Sequence, residues 1–204
     1  MRYILFLALL STTLSAQSAP RHTELPSREE LDSISIRGIA LYEYDRAAWE
    51  ATDALLKIAH PPPQDGGQYV VFRMDDFWYV DFGRLTAARD TFYTLYQEFR
   101  HEPDTTWFGG RTPSPSPNVK NLLHSARAVA TALDAFGAVQ KRPYNHVALP
   151  TANGEWLVYL FPAQTVSTSW PLGGDERFRI SSDGLRILER HRMLRHAQDL
   201  AHFL

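Results

Sequence analysis

The chain has 204 residues, 21 Lys and Arg against 23 Asp and Glu, and an apolar content of 44%. This composition is that of a folded globular protein, and the absence of a basic cluster excludes nucleic acid as an expected partner. The chain has no cysteine, which excludes disulfides, a catalytic thiol and the lipid-anchored cysteine of a bacterial lipoprotein.

Residues 1–19 have the pattern of a secretory signal peptide. Arg2 is followed by an apolar run from Ile4 to Leu10 and then by small residues, with Ala16 and Ala19 as candidate cleavage points. The run is too short to span a bilayer, and no second long apolar run follows it. We therefore expect a periplasmic or secreted protein with no membrane span in its mature form and with one α+β domain over residues 20–204.

Two long helices are predicted. Ser27 and Glu30 match a capping box, which begins a helix that runs to about residue 60, before Pro61. Apolar positions of this helix share one face at the helical period: Leu31, Ile34, Leu41, Ala48, Trp49, Thr52, Leu56 and Ala59. A second helix, capped by Asn118 or Ser116, is predicted to run to about Ala138, and a short amphipathic helix over residues 192–203 closes the chain.

The strands are predicted in two groups. The first group covers residues 68–73, 77–82 and 91–100, and the second consists of hairpins over 146–161 and 176–190. Residues 91–100 could also form a helix, but their aromatic side chains favour a strand. Asn-Gly and Asp-Gly supply the turns of these hairpins. A Pro/Gly/Ser loop over 103–117 joins the sub-halves 27–102 and 118–204. The order of one helix followed by several strands thus occurs twice, in approximate form, along the chain. This order predicts an α+β fold with antiparallel sheets packed by two long helices.

Asp45 and His146 are the candidates for acid–base chemistry. Asp45 lies on the apolar helix face, where a carboxylate must find donors or stay protonated. Such a group acts as an acid or base in a cleft, or it forms an ordinary pair with an Arg or a Tyr, or it lies at the edge of the apolar face. His146 is a possible base at the start of a strand, but no nucleophile accompanies it. Sequence motifs of nucleotide, metal or serine-hydrolase sites are absent.

Aromatic residues are the first candidates for binding. Trp107 and Phe108 precede two glycines inside the long loop, where they form either a docking finger or lid, or an anchor of the loop in the core. The strand over 77–82, which contains Trp78, is apolar on both of its faces. This pattern indicates a central strand covered on both sides, or a face that meets a ligand.

Two other groups of polar residues invite a binding interpretation. Asp175 follows two glycines, which either bring the backbone close to a ligand or simply begin the next strand. His196, Asp199 and His202, with His191 nearby, share one side of the predicted last helix and are weak metal candidates. Zinc ligands usually converge from more than one element, and a solvated helix face explains these residues as well. We expect no metal and no cofactor.

Four segments together resemble a group of uncharacterised, signal-peptide-bearing bacterial secreted proteins. They are LYEYDRAAWEATDAL (41–55), RPYNHVALP (142–150), EWLVYLFPAQT (155–165) and WPLGGDERFRISSDG (170–184). The resemblance implies export and a shared fold, and it implies that similar chains continue beyond this C-terminus; it carries over no catalytic residue. At the level of fold, the order of elements also resembles PepSY or cystatin-type modules, which bind or restrain proteases.

The leading interpretation is an exported, soluble protein that binds a small ligand or another envelope or secreted protein without catalysis. Its expected contact surface comprises the Trp107 loop, the strand 77–82 and Asp175. The alternatives are a periplasmic hydrolase that uses Asp45 and a histidine, and a structural component of the cell envelope, for which an extended apolar surface patch would be the sign.

Overall fold

The structure is a computed structural model that describes residues 26–57, 68–111, 119–137, 143–165, 169–193 and 198–201. The described residues form two helices and ten strands: α1 (Arg28–Lys57), β1 (Gln68–Met74), β2 (Phe77–Leu85), β3 (Phe92–His101), β4 (Phe108–Arg111), α2 (Val119–Phe136), β5 (Tyr144–Pro150), β6 (Trp156–Pro162), β7 (Ser169–Leu172), β8 (Glu176–Ile180), β9 (Ile187–Arg192) and β10 (Gln198–Ala201). The predicted signal peptide lies outside the described residues. Neither of the two described helices is long and apolar enough to cross a membrane.

The strands form two antiparallel four-stranded sheets. The first sheet has the order β1-β2-β3-β4, the second has the order β5-β6-β8-β9, and β7 and β10 pair with each other as a separate ribbon. Each sheet follows one helix in the chain. The predicted α+β class with antiparallel sheets is therefore confirmed.

Local signals position the ends of several elements as expected. The capping box forms at the start of α1, where the Glu30 amide donates to Ser27 Oγ at 3.2 Å and the Ser27 amide donates to Glu30 Oε2 at 2.8 Å. Gly154 and Gly184 lie in the two predicted hairpin turns at φ of 77° and 78°. These positive angles explain why both turns require glycine.

Two predicted segments differ from the structure. The loop over 103–117 contains β4, which pairs with β3 at the edge of the first sheet. The short C-terminal helix is wrong where the structure describes it, because β9 extends to Arg192 and Gln198–Ala201 form β10 against β7. A helix of that length is marginal without packing, whereas a short strand gains its backbone hydrogen bonds from its neighbour.

The two helices lie on opposite faces of the second sheet. Val158 of β6 belongs to a buried cluster with Ala132 of α2, whereas the adjacent Tyr159 belongs to a cluster against which Leu41 of α1 packs. Since successive side chains of a strand point to opposite faces, α1 and α2 cover different sides. The second sheet is therefore a layer between two helices.

Both helices also reach the first sheet. Ala47 of α1 packs with Trp78 of β2, and Leu122 of α2 packs with Val70 of β1. Each helix thus touches both sheets, and the junction of the sheets lies between the helices.

The apolar face that the sequence pattern assigns to α1 is only partly buried. Its member Ala48 is buried, as are Ala47 and Ala51 outside that face, whereas Ile34, Trp49 and Leu56 are more than half exposed. Alanines allow a helix to approach a sheet closely, so the small side chains lie inwards and the large ones outwards. A pattern dominated by large side chains does not reveal this arrangement.

Candidate functional site

Tyr69 of β1 and His146 of β5 join the two sheets. Their rings stack with centroids 4.0 Å apart and planes inclined by 15°. The Tyr69 hydroxyl donates to the His146 carbonyl at 3.0 Å and accepts from the His146 amide at 3.2 Å. The imidazole Nε2 lies 3.0 Å from the Tyr69 carbonyl oxygen. The side chain of each residue therefore binds the backbone of the other.

A cleft of about 380 Å³ lies between α1 and this junction, and we name it the seam cleft. Its lining comes from α1, β1, β2 and β5: Asp45, Ala48, Trp49, Thr52, Asp53, Leu55, Leu56, Tyr69, Phe82 and Asn145. Six of these ten side chains are apolar or aromatic, and the polar ones are Asp45, Thr52, Asp53 and Asn145. This is the usual composition of a small-molecule site.

Asp45 is half-buried in the wall of the seam cleft. Burial raises the pKa of its carboxyl, since the apolar surroundings disfavour the charged form. Burial also raises the pKa of Tyr69 to about 12, and the Asp45 charge adds to this shift. The Asp45 carboxylate therefore acts electrostatically on the Tyr69 phenol across the cleft.

His146 is the other predicted acid–base residue, and it does not line the seam cleft. Its side chain is buried, and burial lowers its pKa to about 4. The imidazole is therefore neutral near pH 7, with Nε2 as the protonated nitrogen that donates to the Tyr69 carbonyl. Asp45 and His146 thus both adjoin Tyr69, but the His146 ring supports the junction instead of facing the cleft.

A second cleft, of about 560 Å³, lies beside the seam cleft along α1, next to the outer edge of the first sheet. We name it the edge cleft, and its lining comes from α1, β3 and the segment before β4: Trp49, Glu50, Asp53, Ala54, Lys57, Glu98, Thr105, Thr106 and Trp107. Trp49 and Asp53 line both clefts. The exposed ring of Trp49 thus stands on the ridge between them.

Glu98 of β3 is the most unusual polar residue of the edge cleft. The residue is 0% exposed, and neither carboxylate oxygen has a hydrogen-bond partner in the described structure. Burial raises the pKa of this carboxyl to about 7. An unpaired buried carboxylate is costly, so this residue needs an explanation beyond packing.

Trp78 and Trp107, two of the predicted binding residues, pack beneath or beside α1. Trp78 is 1% exposed, and its ring meets Tyr44 edge-on with centroids 5.1 Å apart, so it has no surface to offer a ligand. Trp107 is half-buried against the same cluster. Its Nε1 donates to Glu50 Oε2 at 3.1 Å, and the Arg100 guanidinium lies 5.4 Å from its ring centroid.

Phe108, the neighbour of Trp107, lies on the other face of the first sheet. Four aromatic side chains occupy matched positions of the four strands on that face: Phe72, Tyr79, Phe99 and Phe108. Their neighbouring ring centroids are 5.0, 6.2 and 6.2 Å apart. Phe108 is 53% exposed at the edge of this row, which we name the aromatic row. The predicted Trp-Phe pair is thus divided between two surfaces.

Asp175 lies directly before β8 and lines neither cleft. Gly173 and Gly174 precede it with φ of 77° and 79°, so the glycines form the turn that leads into the strand. Burial raises the pKa of Asp175. The structure therefore does not bring Asp175 together with Asp45, His146 or Trp107.

The candidate metal residues do not form a described site. His196 and His202 lie outside the described residues, and Asp199 belongs to β10, where its side chain is not described. His191 is exposed on β9, opposite Arg177. In the part of the chain that the structure describes, no group of three or more His, Asp or Glu side chains is placed to hold a metal ion.

Sequence reasoning singled out neither Tyr69 nor Glu98. Glu98 stands between Gln97 and Phe99, so a polar–apolar alternation suggests that Glu98 faces water and Phe99 faces the core. The structure reverses this order, since Glu98 is buried under α1 while Phe99 belongs to the aromatic row. Only knowledge of which face α1 covers would have revealed the inversion.

Comparison of the chain with protein-family models, with curated proteins and with solved structures finds no match.

Proposed function

We propose that this chain is an exported, non-catalytic binding protein whose seam cleft holds an apolar small molecule with a hydrogen-bond donor. One observation supports the proposal above the others. A half-buried carboxylate, Asp45, stands in the wall of a cleft whose other lining is mainly apolar. A half-buried acceptor in such a wall orients a ligand, while the apolar surface supplies most of the affinity.

The lining defines the chemistry of the ligand. Trp49, Leu56 and Phe82 offer apolar surface, and Asp45 offers an acceptor that is strengthened when it is ionised. A hydroxyl or amine hydrogen on the ligand would satisfy this carboxylate. The volume of about 380 Å³ lies at the lower end of the range for small-molecule sites. We therefore expect a compact ligand.

Binding is favoured over hydrolysis by the arrangement of the reactive groups. The Thr52 hydroxyl is the aliphatic hydroxyl of the lining, and it donates to the Ala48 carbonyl at 2.7 Å, a bond within its own helix. The His146 ring, which the hydrolase interpretation needs as a base, binds the Tyr69 carbonyl instead. A nucleophile with an adjacent base is thus not assembled around Asp45.

Fluorescence titration with N-phenyl-1-naphthylamine tests the proposal, since this dye is apolar and carries one N–H donor. Thr52→Phe fills the cleft, and we expect it to reduce the affinity about tenfold or more. Asp45→Asn keeps the shape and removes the charge, and we expect a loss of a few-fold. 1-Phenylnaphthalene lacks the N–H, so its affinity should be equal for the parent chain and for Asp45→Asn.

Two control variants locate the dye. Ser35→Phe adds the same ring at an exposed position of α1 outside the cleft, and Phe108→Ser removes the exposed ring of the aromatic row. Both should bind the dye as the parent chain does. Undiminished binding by Thr52→Phe, or loss of binding by Phe108→Ser alone, would show that the seam cleft is not the site.

A further inference from the structure

Glu98 indicates a second ligand site, in the edge cleft that adjoins the seam cleft at Trp49 and Asp53. We propose that the edge cleft binds a ligand with a protonated alkyl amine, such as a lysine side chain or an aliphatic polyamine, with Glu98 as its counter-charge. The inference is independent of the proposed function, because it concerns a different cleft and a different ligand chemistry.

The argument begins with the missing partner of Glu98. The carboxylate is fully buried at the edge cleft, and both of its oxygens are without a donor in the described structure. Gly109 of β4 lies so close that a Cβ there would be 2.7 Å from Glu98 Oε2. The side chain is therefore tightly confined, and a bound ammonium group would supply the donors that the protein withholds.

The described cations that contact residues of the edge cleft do not pair with Glu98, and Arg100 Nε is itself buried without a hydrogen-bond partner. Arg46 Nε lies 3.6 Å from Glu50 Oε1, and the Arg100 guanidinium lies over the Trp107 ring and donates to the Asp104 carbonyl at 3.0 Å. Lys57 lines the cleft but is exposed. Among the described residues, no Lys, Arg or His nitrogen lies within 4.0 Å of the Glu98 carboxylate. A bound cation would therefore not have to displace a described side chain from the Glu98 carboxylate.

The walls of the edge cleft suit an alkyl amine. Trp49 and Trp107 provide aromatic surface for a methylene chain, and Glu50 and Asp53 add negative charge that exceeds the single positive charge of Lys57. Cations near aromatic rings are attracted by the negative faces of those rings. A volume of about 560 Å³ accommodates a side chain of lysine size. An anionic or purely apolar ligand would leave Glu98 unpaired.

Isothermal titration calorimetry with n-pentylamine and the full chain at pH 7.5 tests the inference. We expect saturable binding of n-pentylamine to the parent chain, affinity about tenfold weaker for Glu98→Gln, and no binding of 1-pentanol, which is neutral. Ammonium binding favours the ionised carboxyl, so the parent chain should release protons. The observed heat should therefore differ between phosphate and Tris buffers for the parent chain, and this difference should be smaller for Glu98→Gln.

Two matched variants complete the test. Glu29→Gln makes the same change at an exposed carboxylate of α1, and Asp45→Asn makes it in the seam cleft; both should bind n-pentylamine like the parent chain. Equal affinity of the parent chain and Glu98→Gln would overturn the inference. Absence of saturable heat from the parent chain at about 20 mM amine would do so as well. Neither outcome bears on the dye titration of the seam cleft.

Discussion

The phenol of Tyr69 and the imidazole of His146 form a reciprocal pair across the junction of the two sheets. The two rings stack on each other. The Tyr69 hydroxyl lies 3.0 Å from the His146 carbonyl oxygen, and His146 Nε2 lies 3.0 Å from the Tyr69 carbonyl oxygen. β1 and β5 belong to different hydrogen-bonded sheets, so this pair supplies polar contacts that the strand ladders do not. Of the two residues, Tyr69 alone is among the residues that line the seam cleft.

Tyr69→Phe should destabilise the fold by about 1–3 kcal/mol, because the His146 carbonyl and amide lose their contacts with the hydroxyl in a buried place. Urea denaturation measures this loss. Tyr93→Phe, at an exposed tyrosine of the first sheet, is the control and should change stability by less than about 0.5 kcal/mol. Equal effects of the two substitutions would mean that the junction does not depend on the hydroxyl.

Acid should destabilise the protein through His146. The pKa of this residue is lowered by burial from 6.5 to about 4, so the unfolded chain binds more protons than the folded chain between these values. Stability therefore falls as the pH is lowered from 6.5 to 4, by up to about 3 kcal/mol. Unfolding free energies of the parent chain and His146→Gln across this range measure the effect. The loss should be smaller in His146→Gln and should persist in His101→Gln, which alters an exposed histidine.

Glu98 should make the stability depend on pH in the sense opposite to that of His146. Burial raises its pKa from 4.5 to about 7, so the folded chain binds more protons in that window, and stability falls as the pH rises through it. Glu98→Gln removes the charge, and we expect this variant to exceed the parent chain in stability by about 1–3 kcal/mol at pH 8. The difference should shrink towards pH 4. A constant difference at all pH values would show that Glu98 does not titrate as the structure implies.

Gly109 and its neighbour Gly110 provide a matched pair for the edge of the first sheet. A Cβ at Gly109 would overlap the Gln97 carbonyl and lie 2.7 Å from the Glu98 carboxyl carbon, whereas a Cβ at Gly110 meets nothing within 4 Å. Gly109→Ala should therefore destabilise the protein by about 1–3 kcal/mol and increase amide hydrogen exchange in β4. Gly110→Ala should leave both measurements close to those of the parent chain.

Much of the fold could be predicted from local signals. The Ser27–Glu30 capping box and the glycine turns at Gly154 and Gly184 act over a few residues, and the structure shows them as expected. The C-terminal strand was not predictable in this way, since β10 exists through its pairing with β7. A helix was predicted there because the residues have an amphipathic pattern. That local pattern contains no information about pairing with the distant strand β7.

The candidate site was predictable only in part. Asp45 could be singled out because a carboxylate among apolar helix positions is conspicuous, and it does line a cleft. The partner residue Tyr69 depends on the contact between two sheets, which no local pattern encodes. Trp78 was singled out because its strand is apolar on both faces, and of the two alternatives that this pattern allows, the structure shows burial in the core.

The way in which α1 spans both sheets has a consequence for the order in which the protein takes shape during synthesis. Ala40 and Leu41 pack against Val147 and Leu149, which follow about half a chain later. When the ribosome has completed the first sheet, this side of α1 still lacks its cover, and contacts between distant segments form slowly. The α1 face that packs on the second sheet therefore stays uncovered until the C-terminal half has been synthesised. A chain that folds in this order stays incompletely folded for longer, and the proposed export through a translocon requires an unfolded chain.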